Sequence, residues 1–181
     1  MLQLKKTSAN VFFNIMTPKL AARAIKKAIE IGCKPAQYQV NVAASIGAAL
    51  YPAGLENAQG ILTEIYIKNP TDTLWADTPD FVAWKAWMET YNPNASMADG
   101  DPTARATGSP GRRCSAYGDD LTQENVMRQA ARRKALGVPM LLPESTLNPS
   151  ATDFYQIKSV QIAKLSIDHW DLFGERISCS G

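Results

Sequence analysis

The chain has 181 residues, which is enough for one domain or for two small ones. Apolar residues make up 45% and charged residues 20%, a composition typical of a globular protein that excludes a disordered tail. The formal net charge is only +2, and no apolar run approaches the roughly 18 residues of a membrane span. Composition therefore gives no reason to expect a nucleic-acid or membrane-surface partner.

A strand–helix–strand unit is predicted near the beginning of the chain. Residues 10–16 are an apolar run rich in β-formers, typical of a buried strand. Thr17 then provides an N-cap, and Pro18 stands at the first helical position of an amphipathic segment that ends at Gly32. Residues 38–42 form the next strand, and the short links predict a parallel pair. The helical residues expected to face this sheet are Leu20, Ala24, Ile25 and Ala28.

The same signals predict the remaining elements. Alternating apolar residues indicate strands, and Thr or Asp before a periodic segment indicates a helix start. The predicted elements are a strand at 61–67, a helix between Thr78-Pro79 and Asn92-Pro93, a helix from Thr122, and strands at 160–165 and 170–173 joined by a tight turn at Asp168-His169.

Residues 94–118 differ from the rest of the chain. They are rich in Gly, Pro and Arg, and they contain no large apolar residue between Met97 and Cys114. Such a segment cannot form a packed element, and about 25 residues without structure are unusual inside a compact domain.

Few residues have the chemistry of a catalytic or metal site. His169 is the only histidine, so neither a Ser-His-Asp nor a Cys-His arrangement can be assembled without it. The three cysteines, Cys33, Cys114 and Cys179, form no CxxC pair and, being odd in number, no closed disulfide set. Phosphate-binding and zinc-binding motifs are also absent from the sequence. The chain is predicted to bind rather than catalyse, with no cofactor and no metal.

Polar residues follow the first two predicted strands. Because ligands of open α/β sheets lie beyond the carboxyl ends of the strands, Asn14, Thr17, Asn41 and Ser45 are candidate ligand contacts. The alternative is local: the Thr17 hydroxyl would cap the following helix, and the other three side chains would hydrogen-bond within their loops.

Nine segments, taken in order, resemble one protein family. The chain is similar to the C-terminal half of the periplasmic substrate-binding proteins of ABC transporters for branched-chain amino acids and related amides or aromatic acids. The match covers nearly the whole chain except about 97–116. It rests on ANVFF (9–13), TPK (17–19), AARAIKKA (21–28), IGCKP (31–35), PAGLEN (52–57), YIKNPTD (66–72), GDDLTQENVM (118–127), PMLLP (139–143) and TDF (152–154).

The resemblance implies an α/β chain, the parallel-sheet part of an incomplete two-lobed type I periplasmic-binding fold. Residues 1–70 would be the later part of the second lobe. Residues 71–145 would be a C-terminal contribution to the first lobe, and 146–181 the final strands near the hinge.

The resemblance also implies a function. The chain would be the solute-binding component, or a fragment of it, of an importer for branched-chain amino acids or related small carboxylates. Its partners would be that ligand and a membrane permease; we expect a monomer without nucleic acid. The location would be periplasmic, although the chain as given carries no signal peptide. The second-lobe contribution to the ligand site would lie near Thr17 and at Asn41, Val42 and Ala43.

Two other readings stay open. The chain could be a truncated, non-functional gene product in which residues 98–116 result from a compensated frameshift. Read one frame over, permitted codons for residues 104–115 encode a far more apolar sequence, similar to the family. The chain could also be a ligand-sensing regulatory domain, because the same two-lobed fold serves as a sensor elsewhere.

Overall fold

The computed structural model describes residues 1–94 and 118–178, so the suspected frameshift at 98–116, Cys114 and Cys179 lie outside the described residues. Within them Cys33 is a free thiol. Six α-helices are described: α1 (Leu2–Lys6), α2 (Pro18–Glu30), α3 (Tyr51–Ala53), α4 (Leu55–Ala58), α5 (Pro79–Tyr91) and α6 (Gln123–Ala131). Shorter turns are the 3₁₀ segments Asn41–Ala43 and Thr73–Trp75 and the π-helical Ile46–Leu50.

Five strands form one sheet in the order β1-β2-β3-β4-β5. β1 (Val11–Asn14) pairs in parallel with β2 (Ala36–Gln39), and β2 pairs in parallel with β3 (Leu62–Ile65). The antiparallel hairpin of β4 (Ser159–Ser166) and β5 (His169–Ser178) extends the same sheet beyond β3. The predicted mixed α/β class with a parallel beginning is therefore confirmed.

We call the face of this sheet that carries Ala163, Leu165 and Trp170 the core face. Helix α2 contributes Ile25 to the same buried cluster and contacts the turns and short helices between residues 41 and 58. It ends where Gly32 adopts φ +64° and the Cys33 amide donates to the Ala28 carbonyl at 2.8 Å, an arrangement that glycine accepts without strain. The prediction for Leu20 is wrong, because its side chain is 47% exposed. Ala24, Ile25 and Ala28 are buried as predicted, and the buried stripe also includes Ala21 and Ala22, so Leu20 lies beside it.

A single apolar core joins the early and late parts of the chain. Ile25 of α2 and Leu50 belong to the same buried cluster as Trp84 of α5 and Trp170 of β5. The divisions of the chain at residues 70 and 145 stay predictions.

The turn between β4 and β5 contains a strained residue. The turn residues are Ile167 and Asp168, one position earlier than predicted, and His169 is already the first residue of β5. Ile167 has φ +57°, which a β-branched side chain rarely adopts. The Gln59 side chain holds it: Gln59 Oε1 accepts from the Ile167 amide at 2.8 Å, and Gln59 Nε2 donates to the Ile167 carbonyl at 3.0 Å.

We expect Ile167→Gly to raise the free energy of unfolding by about 1 kcal/mol, since glycine adopts this conformation freely. We expect Gln59→Ala to lower it by about 1–2 kcal/mol, because two hydrogen bonds to the turn are lost. Urea unfolding of both single variants and the double variant measures these changes. Equal stability of Ile167→Gly and the wild type would contradict the strain.

Candidate functional site

Two buried amide side chains lie side by side at the carboxyl ends of β1 and β2. Asn14 and Gln39 are register partners in the parallel pair, and their exposed fractions are 1% and 0%. Neither side-chain oxygen nor nitrogen has a hydrogen-bond partner within the described part of the chain. Thr63 is the next register position on β3, and its hydroxyl is satisfied by donating to the Gln39 carbonyl at 2.9 Å. A polar layer therefore crosses three strands inside an otherwise apolar core.

Unpartnered buried amides are costly, because burial removes their hydrogen bonds to water without replacement. We expect Asn14→Leu and Gln39→Leu each to leave stability unchanged or raise it by about 1 kcal/mol. Thr63→Val is the matched control in the same layer: it removes a satisfied hydroxyl and should cost about 1 kcal/mol. Denaturant unfolding measures all three, and a large loss in Asn14→Leu would show that the amide has a partner.

Asn41 begins a 3₁₀ turn that is fixed to β3. Its backbone amide donates to Glu64 Oε1 at 3.0 Å, and its side-chain amide donates to the Glu64 carbonyl at 3.0 Å. These contacts explain why the second strand ends at Gln39, earlier than predicted. Burial raises the pKa of the neighbouring Tyr38 phenol, and hydrogen bonding to the Glu64 carboxylate raises it further.

The remaining candidate residues differ in their solvent exposure and in the hydrogen bonds that they make. Val42 is exposed, whereas Ala43 is fully buried with its amide donating to the Val40 carbonyl at 2.8 Å. Ser45 caps the following helical turn by accepting from the Ala48 amide at 3.1 Å. Thr17 is exposed, and its carbonyl accepts from the first turn of α2, but its side chain makes no capping bond.

The capping role expected for the Thr17 hydroxyl is therefore not observed. The 3₁₀ turn that contains Asn41, Val42 and Ala43 contacts α2, the helix that Thr17 precedes. The structure thus brings Asn14, Gln39 and the Asn41 turn to one edge of the sheet.

Sequence reasoning missed Gln39 and Glu64. Gln39 lies inside an alternating strand and reads as an outward-facing polar residue. Glu64 lies in the predicted third strand, where its bond to Asn41 depends on a pairing that is 23 residues distant in sequence. The available signal was a charged residue, Glu64, in the middle of an otherwise largely apolar predicted strand.

A separate groove lies between α6 and the segment before β4. Its volume is about 350 Å³, and two arginines accompany an apolar lining. The lining residues are Met127, Arg128, Ala131, Arg132, Ala151 and Phe154.

Residues 1–94 and 118–178 contain no group of three or more His, Cys, Asp or Glu side chains that could hold a metal ion.

The only histidine, His169, lies between two carboxylates. Its Nε2 atom lies 3.0 Å from Asp171 Oδ1, and its Nδ1 atom lies 3.4 Å from Asp168 Oδ1. Slight burial lowers the pKa of His169, but these carboxylates outweigh it and raise the pKa overall.

None of the helices in residues 1–94 and 118–178 has the length and apolarity needed to cross a bilayer.

Comparison with solved structures identifies the fold. A branched-chain amino acid ABC transporter protein from Thermus thermophilus, solved with bound valine, superposes with a TM-score of 0.77 over 97% of this chain at 14% identity. The fold is one half of the type I periplasmic-binding fold. The aligned region covers only 48% of the Thermus chain, which agrees with a C-terminal half.

Two further neighbours give the same result for this half-fold. A leucine-binding protein from Thermotoga maritima matches with a TM-score of 0.63 at 12% identity, over 97% of this chain and 46% of its own. A type 1 periplasmic binding protein from Bordetella pertussis matches with a TM-score of 0.64 at 14% identity, over 93% and 47%. No protein-family model and no curated protein matches the sequence. The chain spans about half the length of the solved proteins it resembles.

Proposed function

We propose that the chain contributes one wall of a solute-binding cleft for a branched-chain amino acid or a related small carboxylate. The likeness to the valine-bound Thermus protein carries the proposal. On this proposal the chain is the non-catalytic binding component of an importer, acts in the periplasm and delivers its ligand to a permease.

The carboxyl edge of the sheet supports this role chemically. Ligands of open α/β folds bind beyond the carboxyl ends of the strands, where β1 and β2 end here. Val42 offers an exposed apolar surface for an aliphatic side chain, and the Thr17 hydroxyl is not used for capping. We assign ligand contact to Thr17, Val42 and Ser45, while Asn14, Asn41 and Ala43 shape the wall behind them.

Thermal unfolding with and without L-valine, L-leucine or L-isoleucine tests the proposal, because a ligand that binds only the folded state raises the midpoint. Thr17→Val preserves the shape of the side chain and removes the hydroxyl. We expect it to weaken binding about fivefold to tenfold while changing the free energy of unfolding by less than about 0.5 kcal/mol.

Thr17→Ser is the matched control, since it keeps the hydroxyl and should keep the affinity. A midpoint that no small amino acid or carboxylate shifts would contradict the proposal. So would equal ligand affinities of Thr17→Val and the wild type.

A further inference from the structure

The groove between α6 and the segment before β4, which we call the α6 groove, combines an apolar lining with two cationic side chains. Its apolar residues are Met127, Ala131, Ala151 and Phe154, and its cationic residues are Arg128 and Arg132. Among the described residues, no acidic side chain lines it. The α6 groove shares no residue with the carboxyl edge of the sheet, so the cleft wall proposed above does not account for it.

Both walls of the α6 groove are held by local hydrogen bonds. Helix α6 starts at the N-cap Thr122, whose side chain accepts from the Asn125 amide. The opposite wall is a tight turn, in which the Ser150 amide donates to the Asp153 carbonyl at 2.7 Å and Ser150 Oγ accepts from the Asp153 amide at 3.0 Å. Phe154 follows this turn directly. The walls are therefore formed before a ligand arrives, which lowers the entropic cost of binding.

The two arginines offer hydrogen-bond donors to the α6 groove. Arg128 Nη2 donates to Asn125 Oδ1 at 2.8 Å, and Asn125 is only 4% exposed. This bond positions the Arg128 guanidinium while using one of its five N–H donors. The Arg132 side chain, four residues further along α6, forms no hydrogen bond or ion pair with the residues that the structure describes.

Negative charges near the α6 groove do not cancel those of the arginines. Asp120 interacts electrostatically with Arg128, but its carboxylate accepts from the Thr122 hydroxyl at 2.6 Å. Asp153 forms an ion pair with Lys158 at 2.5 Å. The carboxyl end of α6 adds about half a negative charge. Two guanidinium groups against one carboxylate and this half charge leave the α6 groove positive, so it favours an anion.

We propose that the α6 groove binds a small amphipathic anion, a carboxylate on an unbranched hydrocarbon chain of about six to eight carbons. The carboxylate accepts from Arg128 and Arg132, because the planar guanidinium matches its geometry. The hydrocarbon chain lies between Met127, whose flexible side chain adapts to it, and Phe154.

The size of the α6 groove supports such a ligand. Its volume of about 350 Å³ is near the lower limit for small-molecule sites and suits about ten non-hydrogen atoms. The proposal does not depend on the function proposed for the carboxyl edge of the sheet.

Titration of the ¹⁵N-labelled full chain with sodium octanoate, followed by two-dimensional NMR, tests the proposal. We expect saturable shifts at the amides of residues 127–132 and 151–154, with a Kd of about 0.1–1 mM. Octylammonium has the same tail with the opposite charge, and butyrate has the same head on a shorter tail. Each should bind at least about tenfold more weakly.

Variants of the chain separate the roles of charge and shape. Arg132→Gln should weaken octanoate binding about fivefold to tenfold, because one guanidinium is lost. Arg23→Gln removes an exposed arginine of α2 and is the matched control, with an unchanged Kd. Ala151→Leu enlarges an exposed side chain on the turn and should weaken binding about tenfold by filling the α6 groove. Thermal unfolding without ligand checks that each variant is folded.

Four results would overturn the proposal. Equal affinities for octanoate and octylammonium would show that the arginines do not select an anion. Equal octanoate affinities of Arg132→Gln and the wild type would remove the arginine contact. Octanoate shifts confined to the carboxyl edge of the sheet would place the ligand there. Shifts at Met127 and Phe154 that depend on protein concentration without ligand would assign the α6 groove to a second copy of this chain.

Discussion

We expect Asp80→Asn to lower the free energy of unfolding by about 3 kcal/mol at pH 7, because it leaves a buried ammonium group without its counter-charge. Lys68 is only 5% exposed, and its Nζ atom lies 2.6 Å from both carboxylate oxygens of Asp80. The Thr78 hydroxyl at 3.3 Å and the Trp75 ring at 5.2 Å are its other contacts. The expected loss lies at the lower end of the range for breaking a buried ion pair, because the Asp80 side chain is 34% exposed.

The pair also fixes the start of α5 against a distant segment. Asp80 stands in the first turn of α5, and the Lys68 amide donates to the Met140 carbonyl at 2.7 Å. Asp77→Asn is the matched control: it removes an exposed carboxylate three residues away and should change stability by less than about 0.5 kcal/mol. Urea unfolding at pH 7 compares the two, and equal effects would show that the ion pair does not stabilise the fold.

The free energy of unfolding at acidic pH tests the same ion pair in a second way. Partial burial opposes ionisation, but hydrogen bonds from Lys68 and Thr78 outweigh it and lower the pKa of Asp80 below 3.8. A carboxyl with a depressed folded-state pKa contributes stability above its unfolded pKa and loses it as the pH falls through the folded value. The difference in the free energy of unfolding between the wild type and Asp80→Asn should therefore become smaller below about pH 4.

The second large effect is at Asp72, whose carboxylate joins the segment after β3 to the final strand. Asp72 is 2% exposed; its Oδ2 accepts from the Trp170 amide at 3.0 Å and its Oδ1 from the Leu74 amide at 2.9 Å. We expect Asp72→Ala to cost about 2–3 kcal/mol, because the buried Trp170 amide loses its acceptor. Asp77→Ala removes an exposed carboxylate five residues away and serves as the control, with an expected change below about 0.5 kcal/mol.

The pH dependence at Asp72 has the opposite sign. Burial raises the pKa of Asp72 above 3.8, and the two amide donors, which lower it, do not compensate. A raised folded-state pKa contributes stability that is fully present below the unfolded pKa and is lost as the pH rises through the folded value. The free energy of unfolding of the wild type should therefore exceed that of Asp72→Ala by less as the pH rises from about 4 towards 7. Unfolding curves across this range measure it, and a widening difference would contradict the burial of the carboxyl.

Local patterns predicted the elements well where a single segment contains its own signals. Thr17-Pro18 and Thr78-Pro79 start helices as expected, and Gly32 ends α2 through its positive φ. The parallel order of the first strands also followed from the short links. Leu20 was misplaced because periodicity gives the angular width of an apolar stripe but not its centre.

For the candidate site, the sequence predicted the region of the sheet but not the residues that its side chains contact there. The carboxyl-edge rule placed the candidate residues at the ends of β1 and β2, where Asn14 and the Asn41 turn lie, and their contact with a ligand stays a prediction. Glu64 and Gln39 could not be assigned, because their roles depend on strand pairing across about 25 residues. The buried Lys68–Asp80 pair and the Asp72–Trp170 bond were missed for the same reason: each joins segments whose contact only the folded chain creates.

The central claim is that the carboxyl edge of the sheet receives a small amino acid or carboxylate. Titration of the ¹⁵N-labelled chain with L-valine, followed by two-dimensional NMR, tests it residue by residue. We expect shifts concentrated at the amides of Thr17, Val42 and Ser45, with weak affinity because this chain would contribute only one wall of the cleft. Shifts confined to the groove at Met127 and Phe154, or no shifts at the edge of the sheet, would contradict it.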